Sequence, residues 1–187
     1  SGTSADPDVT AMALQALAPY RTGDETVDAA VDKGVQLLSD MQLFDGGYSS
    51  WGTLNSESCA QVLIALATLG IDPVSDSRFV KNGLTVLDAL LAYAVSGGFR
   101  HTVDGEADAI ATEQALCALT AYARLLDGKT ALYDMTDVLG GQMPDDADND
   151  TNEQPAKTTP VVMWIVLGAA AVAGSGALAL TRRRKVK

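Results

Sequence analysis

Histidine is almost missing from this chain, cysteine is rare, and positive charge is in short supply. A closed structural zinc site takes four ligands. The single histidine, His101, has only Asp104 as a partner at ligand spacing, and neither cysteine, Cys59 or Cys117, lies at a comparable interval, so no metal is expected. Lys and Arg number 13 against 24 Asp and Glu, for a net charge of −11 in 187 residues. An acidic surface repels a phosphate backbone, which excludes nucleic acid as an expected partner. A signal-peptide pattern is also lacking, and the chain opens on Ser1-Gly2-Thr3. The expectation is a fragment of a longer protein whose export signal lies upstream.

What charge there is falls unevenly. Residues 1–143 carry 7 basic and 19 acidic side chains, residues 144–160 carry 1 and 5, and residues 161–187 carry 5 and none. The stretch VVMWIVLGAAAVAGSGALAL, residues 161–180, holds no charge and runs into Arg182, Arg183, Arg184, Lys185 and Lys187. About 20 helical residues cross about 30 Å of hydrocarbon, and flanking Lys and Arg stay on the cytoplasmic side. Residues 161–180 therefore read as one transmembrane helix and 181–187 as a basic cytoplasmic tail. The acidic body then lies outside, with Trp164 near the outer headgroups. Such an ending resembles the sorting tail of Gram-positive surface proteins, but Lys157-Thr158-Thr159-Pro160 stands where that signal needs Leu-Pro-x-Thr-Gly. Retention as a single-pass membrane anchor is expected.

Between body and span, residues 140–160 contain three prolines, five acids and one large apolar residue, Met143. A segment so poor in apolar groups cannot offset its ordering entropy and reads as a disordered acidic linker. Asp146, Asp148 and Asp150 have the spacing that opens a calcium loop, yet Thr151 stands at the glycine position and Lys157 at the closing glutamate position.

Within residues 1–139 the chain repeats. AMALQALAPY, AQVLIALATLG and EQALCALTAY superimpose with Leu14, Leu63 and Leu116 as equivalents, 49 and 53 residues apart. The same offset back along each copy reaches Asp6, Asn55 and Asp108, all good N-cap types, with Pro7 at the first helical position. Each of the first two copies continues into a second amphipathic helix: Val27, Val31, Val35, Leu38 and Met41 in one, Val80, Leu84, Leu87 and Leu91 in the other. Gly46-Gly47-Tyr48 and Gly97-Gly98-Phe99 follow, read as the glycine stops of these helices. The first helix of each copy is apolar almost all round and the second carries charge on one side, which separates an inner layer from an outer one. Cys59 and Cys117 fall in different slots among apolar residues. Buried free thiols are the favoured state and a disulfide the alternative.

The period of about 50, the paired helices and the Gly-Gly-aromatic turn resemble the α/α-toroid superfamily of terpenoid cyclases and protein prenyltransferase β subunits. Residues 43–73 and 96–138 look like the repeats of this superfamily found in surface proteins of Gram-positive anaerobes. The resemblance implies an all-α fold of helical hairpin repeats forming part of a toroid, and a cavity mouth lined by Tyr48, Trp51, Glu57, Phe99, Arg100, His101 and Glu113. Catalysis is not expected from the residues present. The cyclase Asp-x-Asp-Asp motif is missing, the prenyltransferase zinc triad is incomplete, and Ala111-Thr112 precedes Glu113-Gln114 where a thioester domain needs Cys-Gly. Gly70-Ile71-Asp72-Pro73 looks like a segment of animal cobalamin carriers, or is a helix stop with a turn. The leading reading is a cell-surface module without catalysis or cofactor that binds an extracellular ligand or protein. The alternatives are a cyclase-like or prenyltransferase-like enzyme and a corrinoid-capture protein.

Overall fold

The computed structural model describes residues 5–21 and 23–139. It is helix-rich: α1 (Pro7–Leu17), α2 (Glu25–Met41), α3 (Ser56–Thr68), α4 (Val86–Leu91), α5 (Ala109–Leu126) and a short α6 (Thr136–Leu139). Five short strands add two small antiparallel sheets: β1 (Ser49–Ser50) with β2 (Thr53–Leu54), and β3 (Ala94–Val95), β4 (Gly98–Arg100) and β5 (Ala107–Asp108) in that order.

The three equivalent helices start where the repeat places them. Asp6 caps α1 by accepting from the amides of Asp8 and Val9, Asn55 caps α3 by accepting from Ser58, and Asp108 caps α5 by accepting from Ile110 and Ala111. Each cap satisfies amides that have no partner inside the helix. α3 packs between α1 and α5, while α2 lies against α1 and α4 against α3. α3 is the centre of the core: Cys59, Val62, Leu63, Ala65 and Leu66 are each 0% exposed.

A row of side-chain amides crosses the three helices. Gln15 Nε2 donates to Gln61 Oε1 at 3.2 Å, and Gln61 Nε2 donates to Gln114 Oε1 at 3.2 Å. Gln61 and Gln114 are repeat equivalents, and the place of Gln61 on α1 is taken by Met12.

Three expectations need correction. The fold is not all-α, because the glycine pairs and the turns beside them make hairpins rather than helix stops. α2 ends at Met41, with Gln42 already extended, before Gly46-Gly47 is reached. Gly97 and Gly98 sit in the β3–β4 hairpin, with Val95 opposite Gly98. Gly98 has φ 150°, and a Cβ there would collide with Thr112, whose hydroxyl accepts from the Phe99 amide at 2.9 Å. The second outer helix is also shorter than its apolar spacing implies. Asn82 (φ 51°) and Gly83 (φ 79°) form a tight turn that pairs Lys81 with Leu84, the geometry an Asn-Gly pair favours. Helix begins only at Val86, behind a capping box between Thr85 and Asp88, so Val80 and Leu84 lie outside it.

Among the described residues, no helix is long and apolar enough to cross a membrane. The linker at 140–160, the span at 161–180 and the tail at 181–187 lie outside the described residues.

Candidate functional site

The starts of α1 and α3 share one end of the molecule with the sheet turns. Asp6 is the tie: one carboxylate oxygen caps α1 and the other accepts from the Ser50 hydroxyl on β1 at 2.6 Å. α3 is tied to the loop after β4, where the Ser56 amide donates to the His101 carbonyl at 3.1 Å. That backbone bond delivers the His101 ring to Glu57. Nδ1 lies 2.9 and 2.8 Å from the two Glu57 oxygens, and the Ser56 hydroxyl donates to the same carboxylate at 3.0 Å. The Glu57 carboxylate side chain is 16% exposed and the His101 side chain 52% exposed. A carboxylate that accepts from Nδ1 fixes the ring's tautomer and orientation.

Beside this pair is a second carboxyl in a drier place. Burial pushes the Asp8 carboxyl above its ordinary range, the nearby charges of Asp6 and Glu57 push the same way, and the Ser58 and Ser50 hydroxyls oppose. Asp8 Oδ1 and the Ser58 hydroxyl are sealed from water without a well-formed hydrogen bond. Their nearness eases the ionised form without satisfying either group.

Trp51 stands at the rim. It occupies the β1–β2 turn at φ 50°, which throws the indole outward to 96% exposure. Below it is a cleft of about 450 Å³ bounded by Asp6, Pro7, Met41 and Leu43. Leu43 also borders a neighbouring cleft that holds Phe44, 86% exposed, and Lys81.

Of the seven residues expected at a cavity mouth, the structure joins Glu57 with His101 and leaves Trp51 near the same end. Tyr48 is fully buried and its hydroxyl donates to the Leu38 carbonyl at 3.0 Å, so it wedges the end of α2. Phe99 is buried too, on the strand that Thr112 fastens to α5. Arg100 is half-buried and spends one guanidinium nitrogen on the Ala92 carbonyl at 3.1 Å. Glu113 points along the outer flank of α5, where it accepts from the Cys117 thiol at 3.3 Å. Both cysteines are free. Cys59 is buried as expected and its thiol is pushed up to about 12, mainly by burial. Cys117 is only half-buried, and partial burial followed by Glu113 raises its thiol as well.

Asp8, Ser58 and Phe44 were not legible as neighbours of the site. The available signal was an acid in a first helical turn, which ordinarily complements the helix dipole. Gly70-Ile71-Asp72-Pro73 serves as a stop and turn: Asp72 accepts from the Val74 amide and from the Tyr122 hydroxyl, tying α3 to α5. Among the described residues, no group of three or more His, Cys, Asp or Glu side chains is placed to hold a metal ion. No protein-family model, curated protein or solved structure matches the chain.

Proposed function

We propose that this chain is a ligand-recognition module without catalysis, built of α/α-toroid-type hairpin repeats and carried outside the cytoplasm on a membrane span at residues 161–180. The observation that carries the reading is Trp51. An indole 96% exposed on a strained turn gives nothing to the core, and exposed aromatics at a cleft rim are the usual anchors of recognition. Acids stand behind it: Asp6 lines the cleft, and Glu57 with His101 lies at the same end. The ligand class that fits is a macromolecular segment with an aromatic or apolar group for the Trp51 face and a cation for the acids. Cation and ring together suit a peptide better than a diphosphate, which the acids would repel.

The test uses the full chain in mild detergent against a panel of Lys/Arg-aromatic peptides, isoprenoid diphosphates and cobalamin. The expected result is peptide binding that Trp51→Ala weakens at least tenfold, with no thermal shift from diphosphates and no co-eluting colour. Retained cobalamin absorbance would turn the assignment to corrinoid capture, and turnover of an isoprenoid diphosphate would turn it to an enzyme. Peptide affinity unchanged in Trp51→Ala would remove the reading's support.

A further inference from the structure

At the end of the molecule opposite Trp51, where α1 and α3 finish, a cleft of about 620 Å³ opens between the turn after α1, the last residue of α3 and the loop after α5. That volume lies in the range of small-ligand pockets. Pro19 stands on the first segment, Thr68 on the second, and Ala131, Tyr133 and Asp134 on the third. Among the described residues that line it there is no Lys, Arg or His.

The polar side chains along the cleft, Tyr133 apart, offer acceptors only. Gln15 Nε2 donates to the Gln61 carbonyl at 3.3 Å and to Gln61 Oε1 at 3.2 Å. A carbonyl can only accept, so the Gln15 amide has a fixed orientation, its amino group is spent on Gln61, and what remains is Oε1. The Thr68 hydroxyl donates its one hydrogen to the Ile64 carbonyl at 2.8 Å and keeps its lone pairs. Asp134 is exposed and accepts from the Thr136 amide at 3.3 Å. None of the ion pairs among the described residues includes it. Tyr133, 70% exposed, adds a ring, and an aromatic face attracts a cation.

The helix ends act in the same direction. A helix C-terminus bears partial negative charge, which a cation stabilises within the last turn. The last turns of α1 and α3 hold no basic side chain, whereas α5 has Arg124 in its own. Arg21, close after α1, is turned away to Asp28 and Asp32 on α2. Beyond the ring lies another acid: partial burial, then the nearby Cys117 and Glu113, hold the Tyr133 hydroxyl above its ordinary pKa.

We propose that this cleft binds a primary alkylammonium group. Such a group is donor-only and cationic, which matches the Gln15, Thr68 and Asp134 oxygens, and its alkyl stem matches Ala18, Pro19 and Ala131. A carboxylate or phosphate finds no donor among these side chains except the Tyr133 hydroxyl, and a quaternary ammonium has the charge without an N–H to give. A free alkylamine and a lysine side chain share this chemistry, and titration separates them.

The test follows amide NMR shifts of the full chain in mild detergent, at about 0.15 M salt to screen the general pull of an acidic surface. The probes are n-butylamine, Nα-acetyl-lysine methylamide, tetramethylammonium and n-butanol. The two primary amines should give saturable shifts confined to the segments around Thr68, Ala131 and Asp134, with tetramethylammonium at least about tenfold weaker and butanol silent. Tighter binding of the lysine derivative assigns the site to a lysine side chain, and equal or weaker binding assigns it to a free amine. Asp134→Asn keeps an acceptor for the Thr136 amide and removes the charge, and should weaken both amines about tenfold. Equal affinity for tetramethylammonium, or unchanged affinity in Asp134→Asn, would overturn the inference. So would shifts centred on Asp6 and Glu57, or no saturable shift at tens of millimolar amine. Asp134 is exposed, so its substitution leaves the fold intact. Trp51→Ala should leave the amine shifts unchanged, which separates this cleft from the ligand-recognition end.

Discussion

Leu14 and Leu116 occupy one slot of the repeat with opposite surroundings, and truncating each to alanine measures what the neighbouring helix contributes. Leu14 is 2% exposed, with its methyls against the α-carbon of Gly34 on α2. Its removal forfeits the transfer free energy of the side chain and leaves a cavity, about 3–5 kcal/mol together. Leu116, at 50% exposure, has half of a transfer term of about 1.5–3 kcal/mol to lose and opens no enclosed cavity, so about 1 kcal/mol is expected. Cys59 supplies the readout. It is fully buried, so in a Cys117→Ser background a thiol reagent labels the chain only as fast as the fold opens. At about 1.4 kcal/mol per decade, Leu14→Ala should speed labelling by about a hundredfold to several thousandfold and Leu116→Ala by about tenfold or less. Equal acceleration by both would refute the claim that Leu116 stands half in the open on α5.

Asp8 sets a pH dependence of stability. Its folded pKa is raised above the ordinary 3.8, so the stability it contributes is present below that value and lost as pH rises through the folded pKa. Asp8→Asn should stabilise the chain at pH 7, by an amount that shrinks toward zero as pH falls below 4; a variant that melts lower at pH 7 would contradict this. Asp76 works in the other direction, because its hydrogen bonds from Arg78 lower its pKa; the small stability it gives is present above its unfolded pKa and fades as pH falls through the folded one. Gly98→Ala places a methyl against Thr112 at a φ that alanine avoids, and should lower stability by about 1–3 kcal/mol. Circular dichroism melts would show it, and a change under 0.5 °C would mean the β3–β4 hairpin is not held to α5. In thiol titration Cys117 should react first but more slowly than a free cysteine, and Glu113→Gln should speed it; Cys59 should wait for denaturant.

The three helix starts were legible because an N-cap is a local device: Asp6, Asn55 and Asp108 each act within three residues, and a repeat of fixed offset finds them all. The sheets were not, since strands of two or three residues are too short to show alternation, and their turns sit beside glycines that read equally well as helix ends. Val80, Leu84, Leu87 and Leu91 have helical spacing, but Asn82-Gly83 has a stronger local preference and takes the first two out of the helix. At the site, Glu57 and His101 could be named, but not their contact, which depends on the Ser56 amide meeting the His101 carbonyl 45 residues on. Asp8 beside Ser58 is the same case. Cys117 reads as buried from its apolar neighbours, but its exposure depends on whether anything lies beyond α5, which no residue near it encodes.

The amides of Gln15, Gln61 and Gln114 all point one way, each donating to the next from α1 toward α5. Such a row has a sense, like arrows laid end to end. A carboxamide offers a donor on one side and an acceptor on the other, so turning one over sets donor against donor unless its neighbours turn too. The row thus ties the orientation of the Gln61 amide to those of its two neighbours, a dependence that runs across α1, α3 and α5 through side chains alone.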